Sequence, residues 1–155
     1  MADDLVQFLR DRLDEDEEAA RTASKYASAE WHVDEEYGET VLWWPPEPRV
    51  AEAERRLGMR VVSDKWRGQT IEALGSDIAP HIARWDPERV LTEVDAKRRI
   101  VKRHSRRRAP SWDRPGHIGY ECAQCTNQFP CPTLRLLALP FASHSAYRPD
   151  WVPDA

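Results

Sequence analysis

Glycine is scarce: six residues in a chain of 155. That leaves little room for a loop that cradles phosphate through its backbone. Neither the P-loop pattern nor the dinucleotide-binding glycine pattern occurs, and there is no G-x-S-x-G nucleophile elbow. No stretch approaches the roughly 18 consecutive apolar residues of a membrane-spanning helix, so no membrane association is expected. The start, Met1-Ala2-Asp3-Asp4, has neither the basic segment nor the apolar segment of an export signal, which points to a cytoplasmic protein. Cysteine is limited to Cys122, Cys125 and Cys131. An odd number cannot pair fully within one chain, and clustered cysteines without an export signal are better read as metal ligands than as disulfides.

What is abundant is charge, at 32% of residues against 41% hydrophobic. This balance suits a modest core and solvated helices. Residues 1–60 carry sixteen acidic and eight basic side chains, and the remainder eleven and fifteen. The two halves therefore either attract each other or face different partners.

Hydrophobic spacing predicts a helix over 4–21, with Leu5, Phe8, Leu9, Leu13 and Ala20 on one face. Alternation and β-prone residues predict strands over 29–34, 40–44 and 60–66, and a short helix fits 49–57. Another short helix fits 77–84, where Pro80 falls among the first backbone N–H groups that lack a helical acceptor. Asp86-Pro87-Glu88 reads as an N-cap, a proline at the first turn and an acid at the positive end of the dipole. It should start a long helix reaching 104. Residues 105–121, rich in Arg, Pro and Gly, read as a loop. Pro132 opens a last helix that Pro140 ends, and the chain after Tyr147 has little to fix it. The expected fold class is α+β: a core over 1–104 in which a small antiparallel sheet packs under the N-terminal helix, a metal-clipped region over 105–147, and a tail over 148–155.

The metal reading rests on spacing. Cys122-x2-Cys125 is a knuckle that lets two thiolates meet one tetrahedral zinc. Cys131 precedes a helix, whose dipole favours thiolate. His104, at the end of the long helix, is the first choice for a fourth ligand, with His117 and His144 as rivals. A catalytic zinc is disfavoured. The deaminase pattern requires H-x-E before P-C-x-x-C, and neither that nor H-E-x-x-H occurs.

Three blocks of sequence have a familiar order. They are Asp4 to Glu17, then Ile82 to Ile100, then Pro130-Cys-Pro-Thr-Leu-Arg through His144 to Tyr147 and Trp151. Together they resemble a family of small proteins from actinobacteria and their phages to which no function has been assigned. The resemblance places a histidine at the end of the long helix, a cysteine pair, and a Pro-Cys-Pro-Thr-Leu-Arg block in succession. His104, Cys122, Cys125 and Cys131 occupy those positions here. It implies an intracellular or mobile-element origin and supplies no activity.

Two further surfaces stand out. Lys97 to Arg108 holds eight Lys or Arg in twelve positions. Lys97, Arg98, Lys102, Arg103, Arg106, Arg107 and Arg108 could contact nucleic-acid phosphates, or simply form a solvated face. Trp43-Trp44 puts one ring on each side of a strand, a candidate patch for a protein partner. The expected function is a non-enzymatic accessory or interaction protein with one structural zinc. Nucleic-acid binding through the basic run is the alternative.

Overall fold

The computed structural model describes residues 2–26, 30–33, 40–43, 71–72, 78–111 and 113–153. In chain order the elements are α1 (Ala2–Tyr26), β1 (Trp31–Val33), β2 (Thr40–Trp43), β3 (Ile71–Glu72), α2 (Ala79–Arg84), α3 (Pro87–Arg103), β4 (Arg106–Pro110), β5 (Ile118–Cys122) and α4 (Pro132–Ala138), with 3₁₀ turns at Leu139–Phe141 and Pro149–Trp151. The fold is α+β, as expected. Contacts divide the chain into two compact units, residues 16–93 in one and residues 1–15 with 94–155 in the other.

In the unit of residues 16–93, β1, β2 and β3 form an antiparallel sheet in that order. Trp31 lies opposite Trp43 and Val33 opposite Val41, and Val41 is also opposite Ile71. Val41 is fully buried together with Ala79, and Trp31, Val33, Ile82 and Ala83 pack around them. Among the described residues, α2 thus covers this sheet, whereas the sequence reading had placed the N-terminal helix over it. Apolar surface decides the difference: the Leu5-Phe8-Leu9 face of α1 is consumed in the other unit. The expected third strand at 60–66 and helix at 49–57 lie outside the described residues. The pairing of Ile71–Glu72 was not anticipated.

The start of α3 follows the sequence signal. The Asp86 carboxylate accepts a 2.8 Å hydrogen bond from the Arg89 N–H, satisfying a donor that the first helical turn leaves orphaned. Its second oxygen lies 3.4 Å from the Trp31 N–H. One side chain therefore caps the helix and meets the sheet.

In the other unit, α1 presents Leu5, Phe8 and Leu9 to Val101, Phe129, Leu134, Ala138 and Trp151, all buried. Full burial of a leucine such as Leu5, Leu9 or Leu134 contributes roughly 1.5–3 kcal/mol. Two expectations are corrected here. Residues 105–121 are not a loop but most of an antiparallel hairpin, with Arg107 opposite Glu121 and Arg108 opposite Tyr120. Its arms are joined through a turn in which the His117 N–H donates to the Arg114 carbonyl at 3.1 Å. Pro115 and Gly116 occupy the centre, and Gly116 has φ +85°, the residue pattern of a type II turn. Gly119 is needed where it stands, because a Cβ there would lie 3.0 Å from the Ser111 backbone. Nor are residues 148–153 loose. Trp151 is buried, its ring centroid 5.1 Å from that of Phe8 and 5.7 Å from that of Tyr147. Its large apolar area fixes the segment that composition alone leaves unanchored.

Candidate metal centre

Three separate backbone features deliver the thiols and the imidazole. His104 follows α3 directly, and its N–H still donates to the Ile100 carbonyl at 3.0 Å, so its position is set by the helix. Cys122 ends β5. Its N–H donates to the Asn127 carbonyl at 2.8 Å, while its carbonyl accepts from the Thr126 N–H at 3.0 Å. These bonds close a tight turn that carries Cys125, with Thr126 at φ +56°. Cys131 is the N-cap residue of α4, its carbonyl accepting from the N–H groups of Leu134 and Arg135 at 3.1 and 3.2 Å.

The ligand atoms of His104, Cys122, Cys125 and Cys131 all lie within 4.8 Å of one another. His104 Nδ1 is 3.3 Å from the Cys122 sulfur and 3.4 Å from the Cys131 sulfur. Tetrahedral bonds of about 2.3 Å to sulfur and 2.0 Å to nitrogen require ligand separations only slightly larger than these, between about 3.5 and 3.8 Å. Cys122 and Cys131 are fully buried, Cys125 and His104 half-buried, and none of the thiols is in a disulfide. This group could hold a metal ion.

The electrostatics of the thiols differ from the simple expectation. Burial pushes Cys131 up to about 11, although the Leu134 N–H acts the other way. Desolvation outweighs the Leu134 N–H there, and the neighbouring thiols add to the rise. For Cys125 burial also pushes upward, but hydrogen bonds from the Asn127 backbone and from the neighbouring thiols prevail, and its pKa is lowered. The main-chain N–H groups of Asn127 and Leu134 were missed in the sequence, since a backbone donor leaves no residue signature.

The rival histidines are not among these grouped ligands. His117 is exposed at the hairpin turn. His144 lies with Nε2 2.8 Å from the Arg12 guanidinium, accepts from the Ala146 N–H at 3.1 Å, and packs edge-on against Phe8.

The basic run is divided between two elements. Lys97, Arg98, Lys102 and Arg103 lie on α3 and Arg106, Arg107 and Arg108 on β4 rather than in a loop. Arg98 pairs with Asp14. Arg107 donates to Glu121 at 2.6 Å, and Arg106 stacks over the Tyr120 ring at 4.3 Å. Strand alternation separates Arg107 from Arg106 and Arg108. Of the tryptophan pair, Trp43 takes part in β2 through its backbone, and Trp44 lies outside the described residues.

No curated protein and no solved structure gives a significant match. The sequence profile of the family of unknown function DUF6221 matches residues 2–153, and the chain belongs to that family.

Proposed function

We propose that this chain is a cytoplasmic, non-enzymatic accessory protein that works by binding another protein, and that His104, Cys122, Cys125 and Cys131 hold one structural zinc. The resemblance of its sequence blocks suggests an actinobacterial or actinophage setting. The observation that carries the reading is the convergence of three sulfurs and one imidazole nitrogen within 4.8 Å. Three thiolates and an imidazole suit zinc over the hard cations, which prefer oxygen. Four protein ligands complete the tetrahedron and leave no position for a reactive water, which argues for structure over catalysis. The ion would clip the end of α3, the β5 turn and the start of α4 together.

Purified protein should contain about one zinc per chain, and a strong chelator should remove it with loss of near-ultraviolet circular dichroism, because metal binding and folding are coupled. A folded, metal-free chain with unchanged tertiary signal would contradict this.

Nucleic-acid binding through the basic run is the second reading. Exposed Arg108 and Arg106, the latter stacked on Tyr120, favour it, since cationic and aromatic groups together suit a single strand. A gel-shift series should then lose affinity steeply with salt, and a triple Arg106, Arg107, Arg108 to Ala variant should flatten that slope. Absence of any shift at low salt removes this reading.

A further inference from the structure

Register decides which way each main-chain group of the β4–β5 hairpin points. Just beyond the paired residues, the Ser111 N–H donates to the His117 carbonyl and the Ala123 N–H to the Ser105 carbonyl, both at 2.8 Å. Antiparallel pairing alternates between hydrogen-bonded and non-hydrogen-bonded positions. Arg107 and Ala109 therefore bond to β5, while the N–H and C=O groups of Arg106 and Arg108 point away from it. On β5 the chain itself uses the outward groups. The Phe129 N–H donates to the Tyr120 carbonyl at 3.2 Å, and the Cys122 N–H to the Asn127 carbonyl at 2.8 Å. The outer edge of β4 differs. Arg106, Arg107 and Arg108 are exposed along it. Among the described residues, neither main-chain group of Arg108 has a hydrogen-bond partner, and its guanidinium has no ion pair. Pro110 stands at an outward position, where its missing N–H breaks no bond of the hairpin.

We infer that this edge of β4 takes up an extended acidic segment of a protein partner as a third, antiparallel strand. The inference rests on the interaction reading above and says where and how the partner is held. An edge strand offers donors and acceptors in alternation. Another main chain matches that pattern, and strand addition draws its affinity from those bonds. A phosphate backbone does not match it, because its oxygens only accept. Partner residues opposite Arg106 and Arg108 would project on the same face as those side chains, two positions apart. Asp or Glu at alternate positions would therefore meet positive charge across the strands. Arg108 carries most of this selection, with Arg106 held over the Tyr120 ring beside it. A second copy of β4 fits poorly, since like charges would face each other, the usual guard on an exposed edge. The same guard leaves the edge open to a strand of opposite charge.

The test uses the full chain as purified and fluorescence anisotropy with labelled probes. The parent probe is a peptide of about seven residues alternating glutamate with valine. One derivative is N-methylated at two central glutamates, whose N–H groups would face β4. Another is N-methylated at two neighbouring valines, whose N–H groups would face away. The parent should bind about tenfold more tightly than the glutamate-methylated peptide or oligothymidylate of equal charge, and within about threefold of the valine-methylated one. Arg108→Pro removes an N–H that the hairpin does not use. It should weaken parent binding about tenfold beyond the loss that Arg108→Ala causes through charge alone. Circular dichroism checks the fold of each variant, and the methylated peptides test the ladder without altering the protein. Equal losses from the two methylations, oligothymidylate binding as tight as the parent's, or equal effects of folded Arg108→Pro and Arg108→Ala would each overturn the edge assignment. So would a dimer of the chain that Arg108→Pro abolishes, which puts a second copy on the edge. A chain that retains proteins from host extract yet binds no peptide overturns the edge and keeps the interaction reading; one that does neither overturns both.

Discussion

Cys131 sits where two local effects oppose each other. The start of a helix favours a thiolate, yet full burial raises the thiol to about 11. Without a cation in reach, a proton is the cheaper way to keep that sulfur buried. With one, the same burial strengthens the bond to the ion. Cys131→Ser should therefore weaken zinc binding by more than about a hundredfold, beyond the 10–100-fold typical of losing an outer-shell partner. His144→Ala should leave zinc affinity within about twofold while costing about 1 kcal/mol of stability through its lost contacts with Arg12 and Phe8. Competition against a chromophoric chelator separates the two cases, and a large effect at His144 would contradict the assignment. At this scale the candidate site was legible: three cysteines and the histidine ending a helix are chemically distinctive. What spacing alone left open was the choice among His104, His117 and His144, because that depends on how the chain returns on itself.

The elements show where sequence signals work and where they fail. Asp86-Pro87-Glu88 carries a local stop-and-start instruction, and the helix begins there. Replacing Asp86 with Ala removes the cap on the Arg89 N–H and the contact to the Trp31 N–H. We expect a loss of about 1–2 kcal/mol, read as a lowered urea midpoint with unchanged slope; an unchanged midpoint would mean the cap contributes nothing. The β4–β5 hairpin shows the opposite case. Arg106-Arg107-Arg108 and Pro110 have little strand propensity of their own. They are held by the ladder and by the Arg107–Glu121 pair, a cross-strand term that no window along one strand contains. The available clue was in the second arm, where Ile118, Tyr120 and Cys122 alternate with Gly119 and Glu121 after a Pro115-Gly116 turn.

For the whole molecule, the unit of residues 1–15 and 94–155 is less poor in apolar contacts than the composition of its C-terminal stretch suggests. α1 contributes Leu5, Phe8 and Leu9 from the far end of the chain, and Trp151 returns to pack on Phe8. Long-range returns of this kind are invisible to local reading. Cys122 and Cys131 belong to the same buried cluster as those residues, so the metal centre would be continuous with the apolar core rather than a separate clip beside it. The central claim is that one zinc sits among these four ligands. X-ray absorption at the zinc edge of the purified protein tests it most directly. The account predicts a shell of three sulfurs at about 2.3 Å and one nitrogen at about 2.0 Å. A shell of oxygen and nitrogen without sulfur, or four sulfurs without nitrogen, would contradict it.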